Sequence, residues 1–165
     1  MTELIEILSP ILAAIVGAIA ALAVERYRTR ARARAKYRES QSAVYIDLYR
    51  SLIDLKLAAD NLWGKANVVT LGAFLLKLNL AKDEISRNAL LIEENDLDEL
   101  NRLIQEFSNF RIGKERLIDL LEEASEEKIS NRDIRNVVET NRRTKHRYDL
   151  LIAKIERSFR GRLAA

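Results

Sequence analysis

The chain contains no cysteine. Disulfides, thiolate metal sites and cysteine nucleophiles are excluded together, and the absence fits a reducing compartment. There is a single histidine, His146. A zinc site of the usual histidine type would need ligands this chain lacks unless subunits shared them, so neither metal nor cofactor is expected. Proline occurs once and glycine five times in 165 residues. So few helix breakers in a chain rich in Leu, Ala, Glu, Lys and Arg predict an all-α fold. Glycine-rich phosphate loops, nucleophile elbows and metal-ligand spacings on a helix are also missing. No enzyme is expected on that ground.

Apolar residues make up 48% of the chain and charged residues 32%. That composition supports a core and argues against disorder. The net charge of +3 conceals blocks of opposite sign. Residues 26–38 carry seven bases (Arg26, Arg28, Arg30, Arg32, Arg34, Lys36 and Arg38) and no acid. Residues 93–127 hold twelve acids against four bases, and residues 128–165 hold eleven bases against four acids. Complementary blocks of this kind pair most simply across neighbouring helices or subunits.

Residues 7–24 are uncharged. Eighteen residues at about 1.5 Å each extend about 27 Å, near the thin end of a bilayer core. The expectation is a transmembrane anchor over residues 1–25 followed by a cytoplasmic helical domain over residues 26–165. Pro10 falls in the first turns of the span, where a missing N–H does least harm. A cleaved signal peptide is the competing reading, with Ala21-Leu22-Ala23 as its small-residue site, and a buried core helix is a third. Signal peptides place their positive charge before the apolar run, whereas Glu3 and Glu6 precede this one and the arginines follow it. The same order predicts the N-terminus outside and the domain inside a bacterial inner membrane. Ala13, Gly17 and Ala21, and likewise Ala14 and Ala18, recur every four residues. Small residues at this spacing let helix backbones approach closely in lipid, so a self-associating span, and hence a homo-oligomer, is expected.

The rest reads as four long helices with short connections, an antiparallel four-helix bundle whose first helix continues from the anchor. The first helix ends near Trp63, with Tyr45, Leu48, Leu52, Leu55, Ala59 and Leu62 spaced three and four apart on a core-facing seam. A break at residues 64–67 precedes a second helix over about residues 68–91. Asn95 and Asp98 are expected to cap a third, with Leu97, Leu100, Leu103, Ile104, Phe107, Phe110, Leu117 and Leu121 on its apolar face and Gly113 as a soft point. Ser130 and Asp133 have capping-box spacing ahead of a fourth, which runs to about Phe159.

The basic run at 26–38 is a topology signal that also grips anionic lipid headgroups. In a ring of such helices some of these arginines would line the inner mouth of a pore. Little aromatic interleaving supports base stacking, so direct nucleic-acid binding is not expected. In the fourth helix a polar stretch, residues 141–147, interrupts the apolar stripe between Val138 and Tyr148. Its bases are expected to meet acids of the third helix such as Glu115, Asp119, Glu122 or Glu123. The alternative is a ribonuclease site. Helical proteins of the HEPN superfamily carry an arginine, four to six residues and a histidine on a bundle helix. Arg142 and Arg143 stand closer to His146 than that pattern asks, and Asn141 occupies the position it prefers.

The layout of the whole chain resembles that of the small membrane accessory proteins of type VI-B CRISPR systems. The resemblance rests on the uncharged run at 7–24, the bases from Arg26 to Arg38, the four helices, and the Arg142/His146 pair. It implies an oligomeric membrane pore, or a depolarising effector in antiphage defence, functionally linked to an RNA-guided nuclease. A membrane-tethered HEPN-like ribonuclease and a non-catalytic membrane scaffold are the alternatives.

Overall fold

A computed structural model describes the backbone of residues 2–124 and 131–164, and the side chains of Leu22 and of residues 24–123 and 132–164. It is all-helical: α1 (Thr2–Gly64), α2 (Val68–Asn88), a 3₁₀ turn (Ala89–Leu91), α3 (Glu94–Ala124) and α4 (Asn131–Ala164). By its internal contacts the chain divides into two units, Met1–Ser40 and Gln41–Ala165. In the first, the uncharged run at 7–24 is helical. Apart from Leu22 and Val24, its side chains lie outside the described residues, and so do those of Ala13, Ala14, Gly17, Ala18 and Ala21. Among the described residues no helix is long and apolar enough to cross a membrane.

The second unit is a four-helix bundle running up, down, up and down. Near one end Tyr45 of α1 meets Asp96 of α3 and Phe159 of α4. Further along, Trp63 of α1 lies over Phe110 of α3, with ring centroids 6.5 Å apart. Asp60 of α1 pairs with Lys145 of α4 at 2.8 Å. Within this unit α1 and α3 therefore run parallel, and α2 and α4 return against them. The seam of α1 forms one wall of the core: Tyr45, Leu48, Leu52, Leu55, Ala59 and Leu62 are all buried. Phe74, Leu78, Ala81 and Ile85 of α2 pack on it, with Leu100, Leu103, Phe107 and Phe110 of α3 and Tyr148, Ile152, Ile155 and Phe159 of α4. Burying each large aliphatic or aromatic side chain contributes roughly 1.5–3 kcal/mol. An aromatic nest at the centre adds specific geometry. Tyr148 stacks on Phe107 at 4.6 Å and meets Phe110 edge-on at 5.4 Å, while Phe74 touches both phenylalanines. Near the end of α3 the buried positions are Leu117, Ile118 and Leu120, so Leu121, expected on the apolar face, is exposed, as is Val138 in the early turns of α4.

The helix starts follow local chemistry. Asn67 caps α2 through a reciprocal box: its side chain accepts from the Thr70 N–H at 2.9 Å, and the Thr70 hydroxyl accepts from the Asn67 N–H at 3.2 Å. The expected Asn95/Asp98 cap is not used, because α3 begins one residue before Asn95. The Glu93 carbonyl already accepts from the Leu97 N–H, and the Glu93 N–H is taken by the Tyr45 hydroxyl. Asn95 and Asp98 are exposed in the first turns instead. For α4, Ser130 lies outside the described residues, and Asp133 sits in the first turn.

Candidate functional site

The basic segment of α1 is exposed along its whole length, from Arg26 to Arg38. Arg26, Arg30, Arg34 and Arg38 recur every four residues, so they drift slowly around one side of the helix. Arg28, Arg32 and Lys36 form a second row about 200° away. Tyr27, Arg30, Ala31, Arg34, Ala35 and Arg38 line a shallow groove of about 550 Å³ along the first row. None of the seven bases is ion-paired among the described residues. Like charges four apart on a helix repel by about 0.2–0.5 kcal/mol per pair. An anionic surface laid along the segment would relieve that repulsion. The segment is an exposed, unpaired basic surface rather than a member of the core.

The polar stretch of α4 divides by face. Arg142, Arg143 and His146 are exposed, and Arg143 is paired with Glu139 of its own helix at 3.2 Å. Among the described residues His146 has no hydrogen bond or ion pair, and nothing brings Arg142 or Arg143 to it. The inward residues are ordered. Asn141 is buried and donates to the Gly113 carbonyl of α3 at 2.9 Å. A Cβ on Gly113 would stand only 1.8 Å from Asn141 Oδ1, so glycine is what lets the amide sit there. Lys145 bridges Asp60 and Asp149, and these two partners hold its pKa above the ordinary lysine value against the opposing effect of burial.

As expected from sequence, a base of the polar stretch meets an acid of α3, and further bases of α4 do so beyond it, on acids earlier in α3 than Glu115. Arg147 meets Glu106, Lys154 meets Glu99 and Arg162 meets Asp96. Glu115 turns to Arg111 of its own helix at 3.7 Å. The antiparallel register explains this: with Asn141 opposite Gly113, later bases of α4 fall opposite earlier acids of α3.

Two further polar arrangements escaped the sequence reading. Asp96 is 5% exposed and gathers the Tyr45 hydroxyl at 2.8 Å, Ser158 Oγ at 2.5 Å and Arg162 Nε at 3.3 Å. Burial pushes the Tyr45 hydroxyl up to about 12, with the Asp96 carboxylate acting in the same direction. Beside it, Asp98, Glu99, Arg102 and Lys154 rim a polar cleft of about 270 Å³. The other arrangement is Lys114, 2% exposed, with its ammonium 4.3 Å from the Trp63 ring centroid. Burial lowers its pKa to about 8. Only the long-range pairing could have betrayed either arrangement, since Asp96 and Lys114 resemble surface residues in a charged helix. Among the described residues no group of three His, Cys, Asp or Glu side chains could hold a metal ion.

No family model, curated protein or solved structure matches this chain.

Proposed function

We propose that the chain is an oligomeric, single-span inner-membrane protein that permeabilises or depolarises the membrane holding it, in the manner its resemblance to the type VI-B accessory proteins implies. One observation carries the reading. An uncharged run of eighteen residues, 7–24, is followed, past Glu25, by seven exposed bases that no described acid pairs with. A span followed by positive charge orients the following domain toward the cytoplasm. Each base near an anionic headgroup layer contributes about 1 kcal/mol. Ala13, Gly17 and Ala21 supply small residues for contact between spans. The bundle contributes no catalytic step in this reading, and its linkage to an RNA-guided nuclease is functional rather than covalent.

The test combines fractionation with a membrane-potential dye. After induced expression in bacteria, the protein is expected in the membrane pellet after an alkaline wash, and dye fluorescence should report depolarisation. Recovery in the wash supernatant, or an unchanged potential at full expression, overturns the reading.

A further inference from the structure

Helix α2 carries two apolar stripes. Phe74, Leu78, Ala81 and Ile85 face the core. On nearly the opposite side, Val69, Ala73, Leu76 and Leu80 repeat the same spacing of four, three and four, and all are exposed. Between Val68 and Leu80 the only charge is Lys77. A helix apolar on both sides is normally buried on both sides. Leu57 of α1 stands beside the outer stripe, and together they form an apolar groove of about 410 Å³. Val69 is 80% exposed, Leu76 61%, Leu57 58% and Leu80 50%.

We infer that this α1/α2 face is where a second copy of the chain docks, as an isologous pair about a two-fold axis. This names a surface for the self-association proposed above and rests on that reading only for copies being close together. Two features select a second copy as the occupant. The first is charge. The face contains one acid and one base, Asp54 and Lys77, paired at 2.6 Å within the chain and both partly exposed. A two-fold axis brings an acid of each copy toward the base of the other, so the surface complements itself and presents no net charge to repel its twin. The second is area. The exposed parts of these side chains and Val68 amount to on the order of 500 Å², the size of patch that marks an interaction site. Paired with itself, the face removes about 1,000 Å² from water, the threshold for a specific interface. Ala73, small and central in the stripe, lets the two α2 helices approach closely.

The cysteine-free chain allows a direct test with the full-length protein in detergent. Val69→Cys, Ala73→Cys and Leu76→Cys, made singly, are expected to give at least tenfold more oxidised dimer than Ile112→Cys on α3 or Leu150→Cys on α4. The two controls, at 56% and 58%, are about as exposed as Leu76 at 61%, the position they are most directly compared with. All five changes are at surface positions, and helical circular dichroism verifies the fold of each. In the Ala73→Cys background, Asp54→Lys alone and Lys77→Asp alone should each lower the yield severalfold. Mixing the two charge variants should restore it as the heterodimer. Equal crosslinking at the α3 and α4 controls, or none at the α2 positions, overturns the proposal, as does a face occupied by detergent or another protein that leaves no dimer. If the crosslinks fail while the protein still depolarises membranes, the face is wrong and the membrane reading stands. If they form while the protein washes free of membranes, the reverse holds.

Discussion

Asn141 and Gly113 form a matched pair, and each makes sense only beside the other. Alanine at a helical glycine ordinarily gains up to about 1 kcal/mol. Here the new Cβ would displace an amide that is 1% exposed, leaving it without its 2.9 Å bond to the Gly113 carbonyl. An orphaned buried amide costs about 1–3 kcal/mol. Gly113→Ala is therefore expected to destabilise by about 1–2 kcal/mol in urea unfolding. In an Asn141→Ala background the same change should become stabilising, a reversal of sign that excludes a generic helix effect. Lys114 makes a second prediction. Its folded pKa of about 8 lies below the ordinary lysine value of 10.5, because burial disfavours the ammonium. Between those values the unfolded chain binds the extra proton, so stability rises with pH from about 8 toward 10. Tyr45 acts oppositely: its raised value means the unfolded chain loses the proton first, and stability falls between about 10 and 12. The urea midpoint of the native protein should thus peak near pH 10. Lys114→Met should remove the rising limb and raise stability at pH 7 by about 1–2 kcal/mol, net of the lost contact with Trp63.

Helix α2 is the element whose start is best defined and whose outer surface is least explained by the bundle alone. Its capping box satisfies two N–H groups at the turn. Asn67→Ala should cost about 1 kcal/mol, and Asn67→Gly only a few tenths, read from the shift in thermal midpoint. The inner stripes of the helices were legible in sequence because a core-facing helix must repeat its apolar residues at three and four. Tyr45 through Leu62 obey that rule, and all six seam positions are buried. Less was legible where partners come from elsewhere in the chain. The start of α3 is set by a tyrosine about fifty residues earlier, so the local Asn95/Asp98 spacing was misleading. The outer stripe of α2 was hidden by the inner one, since both are apolar and only the fold separates them. Asn141 was visible as a polar break at a seam position, but its partner is a backbone carbonyl, which no side-chain pattern reveals.

The chain as a whole combines a basic helical segment with a bundle in which several bases of α4 are paired internally. Arg147, Lys154 and Arg162 are held by acids of α3, while no described acid pairs with the bases at 26–38. Replacing Arg30, Arg34 and Arg38 together by Gln should weaken binding to anionic lipid vesicles by about 3 kcal/mol at low salt. The thermal midpoint should stay unchanged, because the bundle core begins beyond them. His146→Ala should leave depolarisation intact, as expected of an exposed side chain without partners. Loss of the phenotype in that variant would instead favour the ribonuclease alternative. The buried amide of α4 also bears on the uniqueness of the native state. Four helices with similar apolar repeats can slide past one another by a heptad at little loss of oily contact. Slid by seven residues, Asn141 would face a side chain rather than a bare glycine, and its amide would find no carbonyl within reach. The pair therefore acts as a vernier: it contributes little to how tightly the bundle holds, and much to which alignment it holds.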